Sequence, residues 1–197
     1  MSSQVRAGET TSGRVYTGPL FWLDPVLALA ERVDRRRRGL RAVRADGVLA
    51  VELTRYSGPL VLLHDGCRVA PGDVVVVMHF RNDRIRAAAT SGWHAGIRRL
   101  AREDLATLAA WCRSRPAGEQ PVALRATTLL GPLLRRDGWE IRPRARTWRA
   151  RLDDWFMRWL LRHWRRPDAG PSRRRISTLV SVDAWLSAAA LERRFPA

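Results

Sequence analysis

Apolar runs of β character and apolar stripes of helical period alternate along this chain, and together they set the expected elements. Residues 48–54, 60–64 and 74–80 are Val- and Leu-rich runs with the near-continuous apolar character of buried strands. Trp93, Ile97, Leu100, Ala101, Leu105, Leu108 and Cys112 then fall on one stripe, predicting an amphipathic helix over 93–113. After a Pro- and Gly-containing loop at 116–120, the pattern predicts a strand at 122–126 and a short helix at 128–136. Asp137-Gly138 stops that helix, and a further strand is expected at 139–142. A Trp-rich helix follows over 148–164, then a loop at 166–173, a strand at 176–180, and a last helix capped by Ser181 and ending near Arg194. Upstream, Asp24-Pro25 has the form of a helix start, and Gly39 closes that helix after the run Arg35 to Arg38. Residues 1–18 are polar and are expected to form a disordered tail, leaving 19–197 as one domain. The fold class expected is α+β: a single domain with a mixed, mainly antiparallel sheet and packed helices. Nine residues separate 60–64 from 74–80, too few for a crossover helix, so these two runs are expected to pair antiparallel.

Composition changes this picture in one respect. A 197-residue chain with 46% hydrophobic residues and nine Trp can bury a core. Its 36 basic residues are all Arg, and the net charge is +17. Arg forms bidentate contacts to phosphate and carboxylate and stacks on aromatic rings, so a polyanion partner is physically reasonable. The absence of Lys and the single Asn, Asn82, also fit a GC-rich genome, and a solvated Arg-rich surface is the plainer reading of the charge. No run approaches the ~20 apolar residues of a membrane span, and residues 1–18 lack the apolar stretch of a secretory signal. A cytoplasmic location, with an option of peripheral contact with the inner face of the membrane, is expected.

The candidate chemistry is sparse. Cys67 and Cys112 make neither a metal-type spacing nor a disulfide framework. His64, His79, His94 and His163 are scattered without a His-x-x-x-His pair, so no metal and no cofactor is expected. His64, Asp65, Asp73 and His79 are the one cluster suited to ligand or acid–base work. Asp65-Gly66 and Gly72-Asp73 read better as turn chemistry, and the candidate ligand-binding residues are His79 with Asn82, and Asp73 should its turn role not hold it. Neither phosphate-cradling Gly-rich motif is present, and the segment SGWHAGI before the long helix lacks the pyrophosphate loop of acetyl-CoA-dependent acyltransferases. In the Trp-rich helix, Leu152, Trp155, Phe156, Trp159, Leu160 and His163 share one face, and Arg151, Asp154, Arg158 and Arg162 line the other side. Burial between the sheet and a neighbour is the expectation for this helix. The alternative is an interaction surface made of Arg151, Trp155, Arg158, Trp159 and Arg162. Arg clusters at 35–38, 142–151 and 173–175 lack any nucleic-acid-binding fold signature.

Gly58-Pro59-Leu60, Asp65-Gly66, Pro71-Gly72-Asp73, the strand end Met78-His79-Phe80-Arg81-Asn82, Leu129-Leu130, Asp137-Gly138-Trp139-Glu140-Ile141 and the segment 182–186 occur in an order that resembles the YkoP-like domain family of bacteria. The resemblance covers roughly 22–195. Such domains occur alone or attached to polysaccharide deacetylases. The resemblance therefore implies a non-catalytic accessory or interaction domain in cell-envelope polysaccharide metabolism, partnered by an envelope enzyme or an anionic surface. The alternatives are a basic nucleic-acid- or phosphate-binding protein and, less well supported, an acyltransferase-like enzyme.

Overall fold

The computed structural model describes residues 39–88, 93–164 and 178–196, together with Val33. The expected tail at 1–18, the helix from Asp24, and the Arg clusters at 35–38 and 173–175 lie outside the described residues. The strands are β1 (Arg41–Ala42), β2 (Leu49–Arg55), β3 (Val61–Leu62), β4 (Arg68–Val69), β5 (Val74–Phe80), β6 (Ala123–Thr128), β7 (Glu140–Pro143) and β8 (Val182–Ser187). The helices are α1 (Asn82–Ala88), α2 (Trp93–Arg113), α3 (Gly131–Arg136), α4 (Trp148–Trp164) and α5 (Ala188–Arg194). Six strands form one sheet in the order β1-β2-β5-β6-β8-β7, and β3 pairs with β4 in a separate ribbon. Only β5 and β6 run parallel, joined by a crossover through α1 and α2. The fold is α+β with a mixed, mainly antiparallel sheet, as the pattern predicted.

Each face of the sheet has its own cover. On one, Leu105, Leu108, Ala109 and Cys112 of α2 and Leu191 of α5 pack on Val51, Val76, Met78, Leu124, Ala126, Ala184 and Leu186. These strand residues alternate in sequence, which is why the α2 stripe finds a continuous apolar floor. On the other face, Tyr56, Val61, Leu63 and Val69 cover Val75, Ala123 and Trp185, with Tyr56 edge-on to Trp185 at 5.6 Å between ring centroids. The buried carboxylate of Asp104 on α2 accepts the backbone N–H groups of Val48 (2.7 Å) and Leu49 (2.8 Å), tying the helix to the start of β2.

Three expectations are corrected. The run 60–64 does not pair with β5. Tyr56 N–H donates to Asp73 C=O and Gly72 N–H to Tyr56 C=O, both at 2.7 Å, so β2 is carried into register beside β5. The excursion between them then folds on itself as β3–β4, with Gly66 (φ 83°) and Gly72 (φ 95°) supplying the turns. The last strand is Val182–Ser187, where the pattern suggested helix; residues 178–180 are not strand, and 176–177 lie outside the described residues. Ser187, not Ser181, caps the last helix, its hydroxyl accepting Ala190 N–H at 2.9 Å. An interior position between β6 and β7 overrides local helix propensity here, because β8 is covered on both faces and at both edges.

Candidate functional site

Asp73, His79 and Asn82 do not form one site. Asp73 ends the turn before β5, its N–H donating to Ala70 C=O and its carboxylate accepting Ala70 N–H at 2.6 Å, the turn role suggested for it. His79 lies near the other end of β5, roughly 20 Å away along an extended strand. There its Nε2 stands 3.8 Å from a Glu52 carboxylate oxygen, on the sheet face opposite α2. Asn82 begins α1 just beyond the same strand end. Asp65 is likewise a turn residue: it accepts Cys67 N–H at 3.2 Å, and a hydrogen bond from the Ser187 hydroxyl holds its carboxyl below the ordinary range. Among the described residues, no three His, Cys, Asp or Glu side chains converge as metal ligands would.

The register brings together a polar patch that the sequence reading missed. Arg125 and Thr127 on β6, and Asp183 and Trp185 on β8, share the sheet face that carries His79 and Glu52, with Glu140 and Arg142 on β7 beside them. Asp183 accepts from Arg125 and from Thr127, each at 2.9 Å, and Arg142 donates to Glu140 at 2.7 Å. The Arg125 guanidinium also lies over the Trp185 ring, 5.3 Å from its centroid. The signal was available as polar residues at every second position in 125–127 and 183–187, but assigning the latter to a helix hid it. The carboxylates of Asp183 and Glu140 are engaged by guanidinium or hydroxyl donors, and Glu52 faces the His79 imidazole.

Helix α4 is arranged differently, and the expectation of full burial fails. Among its described side chains, Ala150, Asp154 and Leu160 are buried, 6%, 9% and 8% exposed. Trp148, Leu152 and Trp155 are 70%, 56% and 61% exposed, with Phe156 at 39% and stacked against Trp159. At about 100° per residue, the exposed set centres almost opposite the buried set. One helix therefore carries two apolar faces, one packed on the body of the domain and one facing outward. Asp154 anchors the inner face by accepting Ser181 N–H at 2.9 Å. Arg158 donates to Asp154 C=O at 3.0 Å, whereas the side chain of Arg162 lies outside the described residues.

Beside the first turns of α4 lies a cleft of about 270 Å³ lined by Arg144, Ala145, Arg146, Ala150, Arg151, Asp154, Val180 and Ser181. Arg144 is engaged, bridging Asp153 at 3.1 Å and the Ser181 hydroxyl at 3.2 Å. Arg146 and Arg151 are exposed and have no ion-pair partner among the described residues.

Residues 23–195 match the YkoP domain family. The chain belongs to that family. No curated protein and no solved structure matches it. In this YkoP domain, several of the segments that carry the resemblance have structural roles: Asp65-Gly66 and Gly72-Asp73 build turns, and Asp137-Gly138 closes α3. Large apolar side chains project outward at Leu53, Leu60, Leu62, Leu133 and Val180, and most densely on α4, at Trp148, Leu152, Trp155 and Phe156.

Proposed function

We infer that this YkoP domain is a non-catalytic accessory domain of bacterial envelope polysaccharide metabolism, working at the cytoplasmic side by docking. The observation that carries this reading is the outward ridge of α4. Trp148, Leu152, Trp155 and Phe156 are large apolar side chains in one contiguous exposed row, a feature that marks interaction surfaces. The envelope context is drawn from the family, whose domains occur alone or joined to polysaccharide deacetylases. The polar sheet patch supports the non-catalytic part, since its Asp183 and Glu140 carboxylates are committed to ion pairs. The test is a strain lacking the gene, complemented with wild type or with a W155E variant. Altered envelope glycan composition in the null strain, restored by wild type and not by the variant, is expected. Unchanged glycan in the null strain would overturn the reading.

A second reading, binding to nucleic acid or another soluble polyanion, is favoured by Arg146 and Arg151, which have no ion-pair partner among the described residues, and by the net charge of +17. It requires retention on heparin or duplex DNA with a steep log–log dependence on salt.

A further inference from the structure

The geometry points to the outer face of α4 and the cleft beside it as one docking surface for an anionic phospholipid bilayer. The ridge is the insertion edge, and the exposed Arg146 and Arg151 receive lipid phosphates. This names the partner for the surface on which the accessory reading rests.

The spacing of the ridge defines what can cover it. Trp148, Leu152, Trp155 and Trp159 follow a 4-3-4 rhythm, the spacing of a helix–helix seam, so a second copy of α4 is the first occupant to weigh. The positions flanking that seam are Arg149, Arg151, Phe156 and Arg158. Pairing two copies would therefore set guanidinium against guanidinium along much of the contact, where paired helices place opposite charges. The surface demands an anionic occupant. Side-chain type narrows the choice further. Trp combines a large apolar body with one polar N–H and belongs at water–hydrocarbon boundaries, while Arg flanks suit anionic headgroups. Arg149 already lies over the Trp148 ring, 5.4 Å from its centroid, keeping a cation at the edge of the apolar row.

The cleft sits where headgroups would be. Arg151 lines it and is about 40° around the helix from Trp155, so one side chain borders both features. With Trp155 in the acyl boundary, Arg151 and Arg146 stand at phosphate depth. A volume of about 270 Å³ is large enough for a phosphate group, and the Asp154 carboxylate that also lines the cleft is committed to the Ser181 N–H. No helix among the described residues is long and apolar enough to cross a membrane, so the contact is peripheral.

The experiment is co-sedimentation of the full chain with vesicles of phosphatidylcholine alone or mixed with phosphatidylglycerol, at several salt concentrations. Wild type should partition onto the anionic vesicles, not onto phosphatidylcholine, and lose binding as salt rises. Both L152E/W155E and R146E/R151E should lose at least tenfold in partitioning with unchanged melting temperature, because the four positions are exposed. Each Arg near an anionic surface contributes roughly fivefold, so R151Q alone should give a smaller loss of about that size. Equal binding to both vesicle types, no binding, or unaltered binding by the variants would overturn the proposal. So would dimerisation in sedimentation equilibrium that L152E/W155E abolishes, or a fall in melting temperature showing that this chain covers its own ridge. DNA retention lost in R146E/R151E without vesicle binding would transfer the cleft to the nucleic-acid reading. If vesicles fail while the null strain still shows altered glycan, only the lipid partner falls and the accessory role stands.

Discussion

Asp104 shows how one side chain fixes the geometry between a helix and a strand. It is fully buried on α2, and its carboxylate receives two backbone N–H groups from the start of β2. Gly47 makes this possible, because a Cβ there would stand 2.0 Å from Asp104 Oδ1. We predict that Gly47→Ala destabilises the domain by about 1–3 kcal/mol, the usual scale of overpacking, measurable in urea. Burial pushes the Asp104 carboxyl above its ordinary 3.8, outweighing the two N–H groups that pull it down. The folded state thus holds this proton more tightly than the unfolded chain does. The contribution is greatest in acid and is lost as pH rises through the raised value. Relative to D104N, wild type should therefore lose stability as pH rises from 3.8 towards neutrality; a gain over that range would contradict the assignment. Cys112 gives a simpler expectation. Burial pushes its thiol up to about 12, so a thiol reagent at pH 8 should modify it only when the protein unfolds.

Among the elements, α4 separates what local pattern can say from what it cannot. Its helical character and limits were legible, because Leu, Met, Trp and Arg at helical spacing run unbroken from Trp148 to Trp164. Which arc faces inward was not legible: the pattern put Asp154 on the polar side and Leu152 and Trp155 on the apolar one, and only the docking of Ala150, Asp154 and Leu160 decides. The consequence is measurable. Trp155→Ala should leave stability within about 0.5 kcal/mol of wild type, whereas Leu160→Ala should cost about 2–5 kcal/mol. The reverse order would put the aromatic ridge in the core. For β8 the failure has another cause: Val182–Ser187 reads as a helix start on its own, and its strand character comes from β6 and β7 on either side. The pairing of β2 with β5 was likewise set at a distance, by the bonds between Tyr56, Gly72 and Asp73. Strand existence was visible in the Val run, but strand partnership was not.

For the whole molecule, the sheet and its two covers account for the burial of both faces of β5, β6 and β8, and they leave α4 with a surface the fold does not use. The α+β class and the family were readable because they depend on the order of elements and turns, which local sequence encodes. The candidate site was readable only in part. His79, Asn82 and Asp73 were picked by residue type, and the structure places Asp73 in the turn before β5, His79 near the end of β5 and Asn82 at the start of α1. Of the proposed docking residues, Arg151 and Trp155 were legible as an alternative interaction surface, whereas the exposure of Trp148 and Leu152 and the cleft beside Arg146 emerge only once the helix is docked. The most direct test is fluorescence quenching by vesicles of phosphatidylglycerol brominated along the acyl chains, because bromine quenches only Trp side chains that reach the hydrocarbon boundary. The account predicts strong quenching of wild type that W148A/W155A largely removes, with the fold retained. Unquenched wild-type fluorescence on those vesicles, or quenching that survives in W148A/W155A, would contradict it.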